Sequence, residues 1–481
     1  MDKNNAKNFV KEIADIDNDF PQWYTDVVRK TELVDYGPVK GTMVIRPYGY
    51  GIWENIQKEL DTRFKDTGHV NAYFPLFIPY SYLLKEAEHV EGFAPEVALV
   101  THVGDEELAE KLVVRPTSET IICDMYSKWI QSWRDLPILV NQWANVVRWE
   151  KTTRPFLRTT EFLWQEGHTA HATEKEAQDE TIKMLNVYEE FCRNILAMPV
   201  LTGRKSEKEK FAGAVATYSI EAMMRDGKSL QAGTSHYLGE NFAKAFDIKY
   251  LDKDGVLKYV HQTSWGVTTR LIGAIIMVHG DERGLALPPK VAPIQAVVLP
   301  IASFKPGVNK ACEKLVKALK KAGIRVYLDD RDQSPGWKFN EWEMKGVPVR
   351  IECGPRDIEA GVVTVARRDQ AGQKFTLPID KIGKSIKELL NNIQSDMYTK
   401  AKDTLNSRIK EVYSTAELGV ALDEQCFALA MWCGDEKCEL EVKTKFSATT
   451  RNMPFDQKPI AKTCAICGGK AKYKIYFARA Y

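Results

Sequence analysis

Val146-Val147-Arg148-Trp149-Glu150 is an Arg-x-Glu alternation that closes an apolar run, and Arg158-Thr159-Thr160-Glu161-Phe162 follows as a returning segment. Successive side chains of a strand point to opposite faces, so Arg148 and Glu150 are expected to share one. There a guanidinium can grip phosphate bidentately while the carboxylate accepts from an adenine amine. About a hundred residues later, Trp265-Gly266-Val267-Thr268-Thr269-Arg270 places a glycine ahead of a predicted helix start. A glycine lets the chain pass close to a nucleotide, and an arginine at a helix N-terminus adds its charge to amides that already favour anions. Two arginines so far apart imply one phosphate site, and the pairing with Glu150 implies ATP. Neither a phosphate-loop Gly-Lys motif nor a dinucleotide fingerprint accompanies them.

With 481 residues, two or three domains are expected. Hydrophobic content of 44% with 27% charged residues is that of a globular chain. The net charge is only +2, from 67 Lys+Arg against 65 Asp+Glu, so RNA binding would have to use local patches. Met1 to Asn8 is polar, and no run of apolar residues is long enough to span a bilayer, which implies a cytoplasmic protein without a membrane partner. Of nine cysteines, Cys123, Cys192, Cys312, Cys353 and Cys426 stand outside any close pair, which argues against a disulfide framework.

Helical stretches and apolar strands such as Ile138-Leu139-Val140 alternate up to Leu287-Pro288-Pro289-Lys290, where the double proline marks a boundary. Beyond it come a strand at 295–300, a lysine-rich helix near 309–322, a strand at 324–328, a helix around 337–345 and strands at 348–352 and 362–366. This reads as a compact α/β domain. A charged helical stretch from about Asp380 to Val412 then leads into a small terminal module. The expected units are residues 1–288, 289–400 and 401–481.

The ordered set of motifs resembles the class II aminoacyl-tRNA synthetases, whose second signature is the Arg-x-Glu strand with its Arg-Thr-x-Glu-Phe return and whose third is glycine then arginine entering a helix. Gly68-His69-Val70-Asn71-Ala72-Tyr73-Phe74-Pro75-Leu76-Phe77 resembles their first signature, so Pro75 implies a homodimer. Within that class, Arg115-Pro116-Thr117-Ser118-Glu119, Phe162 to His171, Gln231 to His236 and Gln262 to Gly266 are similar to the prolyl-tRNA synthetases over essentially the whole chain. The resemblance implies an antiparallel class II catalytic sheet, an α/β anticodon-binding domain and a small C-terminal α/β zinc module. It also implies activation of L-proline with ATP to prolyl-adenylate, then transfer to tRNA(Pro).

Carried over by position, the resemblance gives Thr117 and Glu119 for the proline imino group. Trp164, Glu166, His168, Phe93 and Phe211 would shape the pocket, with Gln231, Thr234, His236 and Ser264 as its polar wall. For ATP it gives Arg148, Glu150, Arg158, Thr159, Gln231, Thr268 and Arg270. The chemistry suits these types: a secondary ammonium offers two donors to a carboxylate and a hydroxyl, and aromatic faces cover the ring. The attacking carboxylate arrives ionised and needs no general base, leaving alignment and charge neutralisation by Arg148 and Arg270, with Mg²⁺, as the catalytic task. A metal reading of His168 and His171 lacks further ligands nearby in sequence.

Glu343, Arg350 and Asp357 match family positions that read the guanines of the proline anticodon. Cys433-x4-Cys438 and Cys464-x2-Cys467 read as two thiol knuckles around a structural Zn²⁺. In the resembled family the chain end folds back, which would bring Tyr481 toward the pocket. Between Phe162 and Trp265 there is no room for a large inserted editing domain.

Overall fold

The computed structural model describes residues 13–89, 97–370 and 372–481. Its centre is a sheet laid down by the first part of the chain. Helix α1 (Pro47–Asp66) exits through Gly68, whose φ of 89° only glycine adopts without strain, into the short strand β1 (Val70–Asn71). Helix α2 (Glu119–Trp129) precedes β2 (Ile138–Val147) and β3 (Glu161–His171). Then come helix α3 (Glu174–Asn194), β4 (Leu201–Arg204), β5 (Ala216–Met223), β6 (Ser229–Gly239), β7 (His261–Thr268) and helix α4 (Arg270–His279).

In space these strands run β4-β5-β6-β7-β3-β2-β1. All pairs are antiparallel except β1 on β2. Period two then sorts the side chains. The register sets Ser264 opposite His168, Gly266 opposite Glu166 and Thr268 opposite Trp164, so these six share one face. The intervening Trp265 turns the other way into the core, with its ring centroid 5.1 Å from Phe64 and 6.2 Å from Tyr188. Gly167 must lack a side chain there, because a Cβ would fall 2.1 Å from the Trp265 indole. One face is therefore sealed by α1 and α3, and the other carries the polar residues.

The second sheet has the order β9-β8-β10-β11-β12, from β8 (Ala296–Pro300), β9 (Val326–Leu328), β10 (Val349–Cys353), β11 (Val362–Arg367) and β12 (Lys374–Pro378). Helices α5 (Val308–Lys321), α6 (Pro335–Met344) and α7 (Ile382–Ser407) flank it, and α7 crosses residue 400. The helical stretch expected to reach Val412 stops at Ser407. Ile409–Val412 instead forms β13 and pairs in parallel with β14 (Phe427–Trp432), because its β-branched ends gain a neighbouring strand that a helix would deny them. With β15 (Thr449–Thr450) and β17 (Tyr473–Ala478) they make a four-stranded sheet of order β13-β14-β17-β15. The remaining strand, β16 (Met453–Pro454), leaves this module and pairs antiparallel with β4, becoming the eighth strand of the central sheet.

Candidate active site

The polar face of the central sheet floors a cavity of about 280 Å³ lined by Thr117, Glu119, Arg148, Glu150, Arg158, Thr159, Trp164, Glu166, His168, Phe211, Gln231, Thr234, His236, Ser264, Thr268 and Arg270. Every expected ATP and proline residue that falls among the described residues is brought there. Phe93 lies outside them.

At one end the groups form a carboxylate network. Ser118 Oγ and Gln142 Nε2 donate to Glu166 Oε1 at 2.5 and 2.7 Å, and His168 Nε2 lies 2.9 Å from Oε2. Burial alone would lower the His168 pKa, but the hydrogen bond and charge of Glu166 raise it above its ordinary value. Thr117 Oγ1 donates to Glu119 Oε2, and Glu119 opens α2 in its first turn behind Ser118, whose side chain makes no cap bond. His236 pairs with Thr217 Oγ1 at 2.9 Å and packs its ring 4.7 Å from Phe211; burial, then the charge of His168, push its pKa down to about 3. Ser264 Oγ and Trp164 Nε1 are buried with no partner among the described residues, two polar atoms ready for a ligand.

At the other end stand three guanidiniums. The Arg-x-Glu expectation of a strand needs adjustment: β2 ends at Val147, and Arg148 only continues its line by donating from N to Thr160 O at 2.8 Å. Arg148 Nε donates to Pro116 O at 2.9 Å, and its guanidinium lies 5.5 Å from the Phe162 centroid and 5.6 Å from that of Trp164. Arg158 Nη1 sits 3.5 Å from Glu150 Oε2. Arg270, the first residue of α4, donates from Nε to Leu157 O at 3.2 Å and from Nη1 to Gln231 O at 3.3 Å. Burial, reinforced by Arg148 and Arg158, lowers its pKa to about 10. Clustered cations with most donors unspent fit a polyanion such as a triphosphate.

Sequence reasoning missed Ser118 and Gln142 as holders of Glu166, and Glu209 and Thr217 in the lining. Gln142 carried a faint signal, a polar residue inside the apolar run of β2.

The remaining expected positions lie elsewhere. Glu343 and Arg350 line one small cleft with Trp342, Arg367 and Arg368, whereas Asp357 is apart from it. Glu343 pairs with Arg283, and Arg350 donates to Glu352 at 3.1 Å while lying 4.3 Å from the Phe339 centroid. Asp357 accepts from Gly354 N at 2.9 Å and Thr364 Oγ1 at 3.1 Å, capping the short helix Pro355–Glu359. The Sγ atoms of Cys433, Cys438, Cys464 and Cys467 lie within 4.8 Å of one another. Tetrahedral thiolates about 2.3 Å from a zinc would be about 3.8 Å apart, and the measured Cys433 to Cys438 and Cys467 to Cys433 separations are 3.5 and 3.8 Å. Gly434 and Gly468, each directly after a cysteine, take φ of 88° and 71° and turn the knuckles. Tyr481 N donates to Ser229 O at 3.1 Å, two residues from Gln231 of the pocket wall.

Residues 100–279 match the family described as "tRNA synthetase class II core domain (G, H, P, S and T)", 295–389 the "Anticodon binding domain" and 415–481 "Prolyl-tRNA synthetase, C-terminal". The chain is 60% identical over 477 residues to a protein named proline–tRNA ligase from Alkaliphilus oremlandii, covering 99% of each. It is 57% identical over 482 residues to one of the same name from Oceanobacillus iheyensis, covering 100% of each. A solved prolyl-tRNA synthetase from Cryptosporidium parvum, in complex with halofuginone and AMPPNP, shares 44% identity and superposes with a TM-score of 0.93 over 98% of this chain and 99% of that one. The chain therefore belongs to the prolyl-tRNA synthetases, a family of class II aminoacyl-tRNA synthetases.

Proposed function

We propose that the cavity activates L-proline with ATP and that the adenylate is then transferred to the terminal adenosine of tRNA(Pro). The observation that carries this reading is the division of one pocket into a carboxylate end and a guanidinium end. Thr117, Glu119, Glu166 and His168 would hold the secondary ammonium and set the pocket shape, with Trp164, Phe211 and the unpartnered Ser264 around the ring. Thr234 and His236 complete that wall. Glu150, Arg158, Thr159, Gln231 and Thr268 would hold the nucleotide. The proline carboxylate attacks the α-phosphorus and pyrophosphate leaves. Arg148 and Arg270 neutralise the charge that builds up on the phosphates, and their fixed positions mean little reorganisation in the transition state. Mg²⁺ would enter with the nucleotide and offset phosphate charge; the lining carboxylates besides Glu119 and Glu166 are Glu150 and Glu209.

Residues 289–400 would read the anticodon through Glu343, Arg350 and Asp357, and the four cysteines of 401–481 would hold a structural Zn²⁺. The exposed side chains of Val70 in the edge strand β1, and of Tyr73 and Phe77 shortly after it in the chain, fit the face of a homodimer. A cytoplasmic location accords with nine cysteines of which none is in a disulfide; no helix among the described residues is long and apolar enough to cross a membrane. Aminoacylation of a tRNA(Pro) transcript with a panel of labelled amino acids tests the activity. Charging confined to proline is expected, and preferential charging with any other amino acid would refute it.

A further inference from the structure

Beside the guanidinium end of the pocket, on the same face of the sheet, lies a buried charge network that no step of the reaction uses. Glu221, on β5, is fully buried. Its Oε2 accepts from Arg451 Nη2 at 2.8 Å, from Arg451 Nε at 3.2 Å and from Ser229 Oγ at 2.8 Å. Its Oε1 accepts from Ser219 Oγ at 2.8 Å, with Lys205 Nζ at 3.5 Å. Arg451 is supplied by the C-terminal module, from the link between β15 and β16. Its neighbour Asn452 donates from Nδ2 to Leu201 O at 2.9 Å, and Met453 and Pro454 then pair with Arg204 and Gly203.

The position of Glu221 matters because of its register. Ile220 faces Gly233 and Glu221 faces Gln231, so Ala232 is an extra, bulged residue. Gln231, Ala232 and Gly233 all line the pocket, and the Gln231 carbonyl is the acceptor of Arg270 Nη1. A bulge re-aims the backbone of its strand, and the Glu221 carboxylate beside this one is tied to that strand through Ser229, two residues before Gln231. Two N–H groups of one arginine converging on Oε2, with Ser219 and Lys205 at Oε1, fix that carboxylate in orientation as well as charge. Removing the arginine would leave a buried anion that must move or take up a proton.

We propose that Arg451 is a positioning residue for adenylate formation: by clamping Glu221 beside the Gln231–Gly233 bulge it sets the Arg270 guanidinium, so that the C-terminal module is a working part of the nucleotide site. The proposal rests on the ATP reading of the pocket. Its test is proline-dependent ATP–pyrophosphate exchange by full-length wild type, Arg451→Met, Arg451→Lys and the double variant E221Q/R451M, with zinc content and thermal unfolding measured alongside. Expected is a rise in the ATP KM of Arg451→Met on the order of tenfold, a proline KM changed less than twofold, and substantial recovery in Arg451→Lys. If Arg451→Met does not fold, the double variant, in which no carboxylate is left buried without its arginine, takes its place, and an ATP KM at least threefold above wild type is expected. An unchanged ATP KM with activity tracking only the folded fraction would overturn the proposal, as would equal rises in both KM values. Failure of the wild type itself to exchange would strike the functional reading instead.

Discussion

His279, at the end of α4, donates from Nε2 to the Leu196 carbonyl 2.9 Å away, and burial lowers its pKa to about 4 despite that bond. His171 is likewise lowered to about 4 and His236 to about 3, burial being the first cause in both. The unfolded chain takes up these protons near pH 6.5. Each group therefore contributes stability that is present above about 6.5 and is lost as pH falls toward the folded value, at up to about 1.4 kcal/mol per pH unit. His168 runs the other way: its raised pKa gives stability complete below about 6.5 and lost as pH rises through the folded value. Urea unfolding at pH 7 and pH 5 should show His279→Gln less acid-sensitive than wild type; an identical pH slope would contradict the burial argument.

At the scale of the element, two predictions follow from short pieces of chain. The paired knuckles fit one metal, so about one Zn²⁺ per chain is expected by elemental analysis, with Cys433→Ser or Cys464→Ser losing it and weakening the β13–β17 module. Purified wild type containing no zinc would remove that assignment. The exposed Phe77 and Tyr73 near edge strand β1 should lie in a two-fold interface. Phe77→Arg is then expected to shift sedimentation toward monomer, and an unchanged profile in a wild type already monomeric would end the dimer reading. The elements themselves were largely legible in the sequence, whereas the pocket residues of β3 and β7 came from the family resemblance, and the register of the two strands explains why alternate ones share the pocket face. What was not legible depended on pairing between distant strands. Gln142 meets Glu166 because of cross-strand register, and Arg451 reaches Glu221 across 230 positions. Neither local pattern nor charge spacing records such contacts. The end of α7 was misjudged for the same reason, because β13 exists only by virtue of its partner β14.

For the molecule as a whole, the proposed work divides over the three largest sheets among the described residues. Arg350 lies in the second sheet, away from the catalytic cavity, with its guanidinium on Phe339. Arg350→Ala should raise the tRNA KM for charging, a bidentate base contact being worth about 1–3 kcal/mol, while leaving adenylate formation within about twofold. Equal loss in both steps would remove the anticodon role. Residues 163–264 are taken up by the central sheet, α3, the short helix Asn241–Ala245, a two-stranded hairpin of Lys249–Leu251 with Leu257–Tyr259 and their connections, which leaves no room for a large editing domain between the two signatures. A pocket that fits proline gains only about 1–3 kcal/mol of discrimination per missing methylene. Slow activation of alanine and cysteine is expected for that reason.

Amino-acid-dependent ATP–pyrophosphate exchange is the most direct measure of the proposed chemistry. With the purified chain, exchange should be strong with proline, weak with alanine and cysteine and absent with the rest of the panel, and Arg148→Ala and Arg270→Ala should each lose at least about a hundredfold while remaining folded. Exchange that does not depend on proline, or near-normal exchange in the two arginine variants, would contradict the account.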